Sequence, residues 1–204
     1  LKQFGVSPYL YSSYASSPLS LYLYLMRMEP FTTLHIDIQG GRFDNAARIF
    51  LSVSGAYRSV TTQMNDYREL IPEFFFMPEF LLNIDDFDLG KTEGVKVNDV
   101  ILPKWAQSPI DFVYKMRKSL ESDIASKSLD EWIDLMFGYK QRGKEAEKAD
   151  NVFKHEMYDT VWLSEDKDNI TALRVAEIEA IVNNVGQIPP QIFTEKHPKK
   201  QISR

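Results

Sequence analysis

The sequence predicts a mainly helical domain with a notable share of irregular apolar segments. Three observations predict it. Apolar residues recur at helical spacing in several windows, cap and stop residues bracket those windows, and ELIPEFFFMPEFL at residues 69–81 follows neither a helix nor a strand period. With 204 residues and an apolar fraction of 44%, the chain suits one domain with a sizeable core.

The elements follow in order. Residues 1–17, rich in Ser, Tyr and Pro, read as an extended approach. Ser17 and Pro18 open a helix, with proline at its first position, and Pro30 closes it near Met28. Leu19, Leu21, Tyr22, Leu23, Tyr24, Leu25, Met26 and Met28 make that helix apolar on nearly every side, the pattern of burial all round. FTTLHIDI reads as a strand by β-propensity, ended by Gly40 and Gly41. From Phe43 the stripe Phe43, Ala47, Phe50, Ser54, Tyr57, Thr61 and Met64 predicts a long helix.

In ELIPEFFFMPEFL each proline biases its predecessor away from the helix, so Ile71 and Met77 should be extended. The phenylalanines between them, Phe75 and Phe76 included, are expected to fill core space, as is Trp132. Glu69, Glu73 and Glu79 then need solvent or a cation, which Arg42, Arg48 or Arg68 could supply. The rival reading is an exposed peptide-binding patch. NIDDFDLGKTEG is a polar turn region with Gly90 and Gly94, and Val95 to Leu102 is a short extended segment. Ser108-Pro109-Ile110-Asp111 has the form of a capping box, with Phe112, Met116, Leu120 and Ile124 recurring every fourth residue after it. Ser128-Leu129-Asp130-Glu131 repeats the device and places Trp132, Leu135 and Met136 inward. A short charged helix follows from Lys144 to about Val152. The last helix carries Leu173, Ile178, Ile181, Val182 and Val185, and ends at Gly186 and Pro189.

Several chemistries are disfavoured. No apolar run approaches the roughly 18 residues needed to cross a bilayer, and no basic-then-apolar leader opens the chain. With no cysteine there is neither a disulfide nor a thiolate site, which fits a reducing, cytoplasmic setting. A net charge of −5 does not attract nucleic acid, and Lys196, Lys199, Lys200 and Arg204 read as a solvated basic tail. Gly138 to Lys144 has the glycine and lysine spacing of a phosphate loop. Glu145 stands where a hydroxyl should hold magnesium, however, and the run follows a helix rather than a strand. His35, His155 and His197 lack ligand spacing, and His35 suits a hydrogen-bonded histidine in a strand near Asp37. Asp85, Asp86 and Asp88 do not align with a calcium loop, and Asn169-Ile170-Thr171 is a glycosylation sequon without meaning in the cytoplasm. No catalytic residue, cofactor site or metal site is assigned.

Taken together, other stretches are distinctive. EPFTTLHIDIQGGRFDNAARIF, ELIPEFFFMPEFL, FDLG, DVILPKWAQSP, EWIDLMFGYKQRG with the later NVF, and GQIPPQIF followed by His197-Pro198 occur in one order along the chain. In that order they closely resemble the BEACH (Beige and Chediak-Higashi) domain family, over residues 18–198 with 199–204 as a basic tail. The resemblance implies a BEACH-type fold, mainly α, with helices around a core that includes extended segments lacking regular secondary structure, and a PH-like domain and WD40 repeats as neighbours in the same large cytoplasmic protein. It implies a scaffold without established catalytic activity, working with other proteins in vesicle trafficking, lysosome-related or autophagy pathways. Any membrane association would then be indirect, at endosomal, lysosomal or other vesicle surfaces. Residues expected to hold its shape or meet partners are Arg42, Phe43, Asp44, Glu69, Glu73, Phe75, Phe76, Glu79, Trp132, Tyr139, Lys140 and Arg142.

The chain departs from the family pattern in two places. The family's apolar entry segment and its PH-like module have no counterpart here, which predicts a truncated domain with an exposed apolar patch along SLYLYLMRM. KHEMYDTVWLSEDKDN replaces the family's tyrosine-glycine loop after NVF. A peptide-recognition module with a groove for short partner segments is the alternative function.

Overall fold

The computed structural model describes residues 9–14, 17–66, 68–158 and 171–200. Among these the protein is mainly helical, with two strands of two residues each. The chain divides into two compact units, one of residues 19–120 and one of residues 1–18 with 121–204.

In the unit of residues 19–120, helix α1 (Pro18–Tyr24) opens at the proposed proline but stops at Tyr24, well short of Met28. Tyr24, Leu25 and Met26 are buried, Leu21, Tyr22 and Leu23 are half-buried, and Leu19 is exposed. FTTLHIDI is helix α2 (Phe31–Ile38), not a strand. The reason lies just before it. Glu29 accepts hydrogen bonds from the Thr33 backbone N–H (3.2 Å) and hydroxyl, placing a carboxylate at the positive end of the helix dipole. The Thr32 hydroxyl donates to the Met26 carbonyl (3.0 Å).

The long helix expected from Phe43 begins only at Val53, as α3 (Val53–Thr62). Before it, Asp44 Oδ1 accepts from the Asn45 N–H and Asn45 Oδ1 from the Ala47 N–H, local bonds that compete with a helical ladder. Ser52 caps α3 by accepting from the Gly55 N–H at 3.0 Å.

ELIPEFFFMPEFL forms two 3₁₀ turns, Pro72–Phe75 and Pro78–Leu81, each with its proline at the start. Ile71 and Met77 are extended, as steric pressure from the following proline requires. Phe74, Phe80 and Leu81 are buried, whereas Phe75 is half-buried against the core and Phe76 is 56% exposed. The expectation of a buried Phe76 is therefore corrected. A 3₁₀ turn closes every three residues, so three consecutive rings point three ways and only one reaches the interior. Phe74 packs edge-on to Tyr24, Phe80 and Phe112, with centroids 5.2, 4.9 and 6.1 Å away.

Strands β1 (Lys91–Thr92) and β2 (Val95–Lys96) pair antiparallel. Glu93 and Gly94 both have positive φ (50° and 81°), the geometry of a tight hairpin turn. The extended segment after β2 carries an isolated parallel bridge, Ser52 to Ile101. Helix α4 (Pro109–Leu120) has the proposed entrance: Ser108 Oγ accepts from the Asp111 N–H, and Asp111 reaches back to the Gln107 N–H. It ends at Leu120, so Leu120 and Ile124 stay exposed rather than continuing its buried row.

In the other unit, helix α5 (Asp123–Met136) starts earlier than Ser128, capped by Ser122. Trp132 is 43% exposed rather than inward, while Leu135 and Met136 are half-buried. A 3₁₀ turn (Tyr139–Gln141), helix α6 (Gly143–Lys148), a second turn (His155–Met157) and helix α7 (Ala172–Val185) follow. Tyr14, Met157 and Ile188 form this unit's apolar cluster, with Met136, Phe153, Tyr158 and Val185 packed on it. Gly186 ends α7 at φ 83°, where a Cβ would stand 3.1 Å from Tyr14 Cβ. Residues 159–169 of the KHEMYDTVWLSEDKDN segment, and Asn169 and Ile170 of the sequon, lie outside the described residues, as do 201–204 of the basic tail.

The burial pattern makes a prediction. Phe74→Ala or Phe80→Ala should cost about 3–5 kcal/mol in urea unfolding, the scale for deleting a buried ring. Phe76→Ala should stay within about 0.5 kcal/mol of the parent, as surface substitutions do. Equal losses at positions 74 and 76 would contradict the assignment of inside and outside.

Candidate functional site

The expected framework residues fall in three places. Arg42 is exposed, Phe43 is half-buried between His35 and Phe87 (centroids 5.9 and 6.0 Å), and the Asp44 N–H donates to His35 Nε2 at 3.4 Å. His35 thus lies on a helix, bonded through the Asp44 backbone. Burial pushes its pKa below the ordinary value, and the Asp44 carboxylate opposes that shift. Arg48 pairs with Asp44, and Arg68 pairs with Asp66 at 2.6 Å while lying 5.6 Å over the Tyr24 ring. Both arginines therefore serve aspartates close by in sequence. Glu79 is exposed, Glu69 is half-buried, and Glu73 buries an Oε2 that has no hydrogen-bond partner.

Trp132, Tyr139, Lys140 and Arg142 are brought together around the end of α5. The Trp132 ring meets Phe137 edge-on at 5.6 Å. Lys140 lies over Tyr139 and Arg142 over Tyr158, each 5.7 Å from the ring centroid. The phosphate-loop spacing of this stretch has a steric origin. A methyl at Gly138 would stand 2.6 Å from Asp134 Cα, so only glycine lets the chain turn back against α5. Gly143 has φ 64° and opens α6.

Side-chain amides hold this turn. Gln141, 2% exposed, donates through Nε2 to the carbonyls of Met136 (2.5 Å) and Pro189 (2.8 Å). Asn151 Nδ2 donates to Leu135 O (2.9 Å) and Lys140 O (3.1 Å), and Gln191 Nε2 to Gly138 O (2.9 Å). The strap of residues 188–200 then runs along α5. Ile192 and Phe193 donate backbone N–H groups to Phe137 O, the His197 N–H donates to Asp134 Oδ1 (2.9 Å), and Lys200 Nζ to Ser126 Oγ (3.2 Å). Around Phe137 the strap leaves Ile192 63% and Phe193 41% exposed, beside the exposed Trp132.

Sequence reasoning missed Asn151, Gln191, Ser126 and Asp134, because a polar residue with a structural partner looks like any surface residue in the chain. One signal was available. Ser126, Asp130 and Asp134 recur every fourth residue, a polar stripe where an apolar one would mark the buried face. Among the described residues, no three His, Asp or Glu side chains come together as a metal site would need.

Known proteins resemble this sequence along nearly its whole length. The Beige/BEACH domain model matches residues 1–200. The chain belongs to the BEACH domain family. BEACH domain-containing protein B of Arabidopsis thaliana is 45% identical over 197 residues, which is 96% of this chain and 8% of that protein. Protein SPIRRIG of the same plant is 45% identical over 205 residues, 98% of this chain and 6% of its own length. Beige protein homolog 1 of Schizosaccharomyces pombe is 44% identical over 197 residues, 95% of this chain and 8% of that protein. The chain therefore spans less than a tenth of the relatives it matches. BEACH domains are protein-interaction modules of large proteins and are not a known enzyme family, and the mainly helical structure is consistent with the BEACH fold.

His35 supplies a prediction with a definite sign. Its folded pKa lies below the unfolded value of about 6.5, so the unfolded state binds more protons as the medium acidifies. Stability should be full above that value and fall below it. Melting temperatures should decline from pH ~7.5 to ~5.5, and His35→Gln should flatten that slope. An unchanged slope in the variant would assign the acid sensitivity elsewhere.

Proposed function

We propose that this BEACH domain is a non-enzymatic scaffold that binds partner proteins within a large protein acting in membrane trafficking. Its setting would be the cytoplasmic side of endosomal, lysosomal or other vesicle membranes, with membrane association indirect. A PH-like domain and WD40 repeats would be its neighbours in the same polypeptide, as the family resemblance implies. The small share of each relative that the chain spans supports a module working inside a longer protein.

The observation that carries this reading is the rim around Phe137. Trp132, Ile192 and Phe193 expose apolar surface on backbone fixed by Gln141, Gln191 and Asp134. Aromatic side chains are enriched in protein interfaces and supply most of their hot spots. A rigid mount also keeps the ordering cost of binding low.

Proximity labelling in cells tests it, comparing the full-length protein with a Trp132→Ala/Phe193→Ala variant at matched abundance. The variant should lose a defined set of membrane-trafficking proteins from its neighbourhood. An identical neighbourhood would contradict the reading.

A further inference from the structure

Helix α4 turns an apolar and basic face to solvent. Its inner side carries Phe112 and Val113, both buried, and Met116, packed on the same apolar cluster. At 3.6 residues per turn, Ile110, Tyr114, Arg117 and Lys118 fall within about 100° of arc on the other side. Ile110 is 71% and Tyr114 63% exposed, and both basic residues are exposed with them.

Beside this row the surface is held in place. Asp111 pairs with Lys115 at 2.7 Å, and Lys115 Nζ also donates to the Trp105 carbonyl at 2.5 Å. The Trp105 ring stacks on Phe112, with centroids 5.4 Å and planes 16° apart, yet it is 49% exposed. A tryptophan already fixed on the core loses little side-chain freedom when a partner covers it. Tryptophan, tyrosine and arginine are also the residue types enriched among interface hot spots.

Charge selects the occupant. The chain as a whole carries −5, yet Lys104, Arg117 and Lys118 are exposed and make no ion pair among the described residues. Asp111, the carboxylate nearest them on α4, is taken by Lys115. Basic residues in a last helical turn complement the helix dipole, which accounts for Arg117 and Lys118. It accounts neither for Lys104, ahead of the helix, nor for the exposed Trp105, Ile110 and Tyr114. An anionic bilayer also attracts cations beside tryptophan, but three cations hold to it weakly and the net negative charge opposes the approach.

We propose that the outer face of α4, with Trp105 at its edge, docks an acidic peptide segment of a partner protein. Carboxylates of that segment meet Lys104, Arg117 and Lys118, and its aliphatic or aromatic side chains cover Trp105, Ile110 and Tyr114. This is a second interaction surface, in the unit of residues 19–120, and it stands on residues other than those of the rim at Phe137.

The test selects peptides from a displayed random library, each about 16 residues long, on the 204-residue chain. Peptides that bind the parent and fail on Ile110→Ala/Tyr114→Ala define the site, since both substitutions change exposed side chains alone. Those peptides should be rich in Asp and Glu and carry aliphatic or aromatic residues. Their affinity should fall at least about tenfold on Arg117→Glu/Lys118→Glu, and should also fall as NaCl rises from about 50 to 300 mM. No such peptides, a set without acidic excess, or affinities indifferent to charge reversal would overturn the proposal. Should the reversal unfold the chain by circular dichroism, Arg117→Gln/Lys118→Gln removes the charge alone, and unaltered affinity there would overturn it equally. Sedimentation with vesicles containing about 30% phosphatidylserine should leave the parent in solution; co-sedimentation lost on charge reversal would assign the face to lipid and overturn the peptide. The Trp132→Ala/Phe193→Ala chain should bind the same peptides, so failure of the rim reading and failure of this one are told apart, and loss of binding there would overturn the placement on α4.

Discussion

Irregular backbone buried in a helical protein must find hydrogen-bond partners outside any ladder, and that requirement shapes both units of this domain. Side-chain amides meet it. In the unit of residues 121–204, Gln141 joins the end of α5 to the strap at Pro189, and Asn151 ties two carbonyls of the turn. In the unit of residues 19–120, Asn83 does the same work. Its Nδ2 donates to the Phe87 carbonyl and Asn98 Oδ1, and its Oδ1 accepts from the Phe87 N–H. An amide carries both a donor and an acceptor, so one side chain can close a loop that would otherwise need a second strand.

Two arginines show how charge is held in the unit of residues 19–120. Arg27, 1% exposed, donates Nε to the Asn98 carbonyl at 2.9 Å, and burial lowers its pKa to about 10 against the pull of Asp99. Asp99 in turn accepts from the Asn83 N–H at 2.7 Å. Arg68 is held by Asp66, and that hydrogen bond keeps the Asp66 carboxyl below its ordinary range. The exposed rim at Phe137 is the counterpart of this tight interior. Side-chain amides are taken up in holding backbone there, while Trp132, Ile192 and Phe193 stay exposed.

Much of this was legible in the sequence where a residue's role is local. Ser108, Pro109 and Asp111 announced α4, Gly186 ended α7, and the prolines kept Ile71 and Met77 extended. Failures occurred where local signals had two meanings. Pro30 read as a stop, yet with Glu29 it starts α2, and eight residues of strand-like composition become a helix. The Phe43 stripe had helical spacing, but Asp44 and Asn45 turn the chain before a helix can begin. Trp132 read as inward with Leu135 and Met136 on a helix opened at Ser128, whereas the fully buried residues of α5 are the polar Ser126, Asp130 and Asp134. At the site, the motif as a whole identified the family, while the residues doing the holding could be found only from their partners.

Hydrogen–deuterium exchange on a Gln141→Leu variant tests the central claim most directly. Leucine keeps the volume and removes the donor, so the carbonyls of Met136 and Pro189 lose their shared partner. Protection should fall together in residues 135–141 and 188–193, while amides of residues 71–82 keep theirs. Unchanged protection in both segments would show that the amide is a passenger and that packing alone holds the irregular chain.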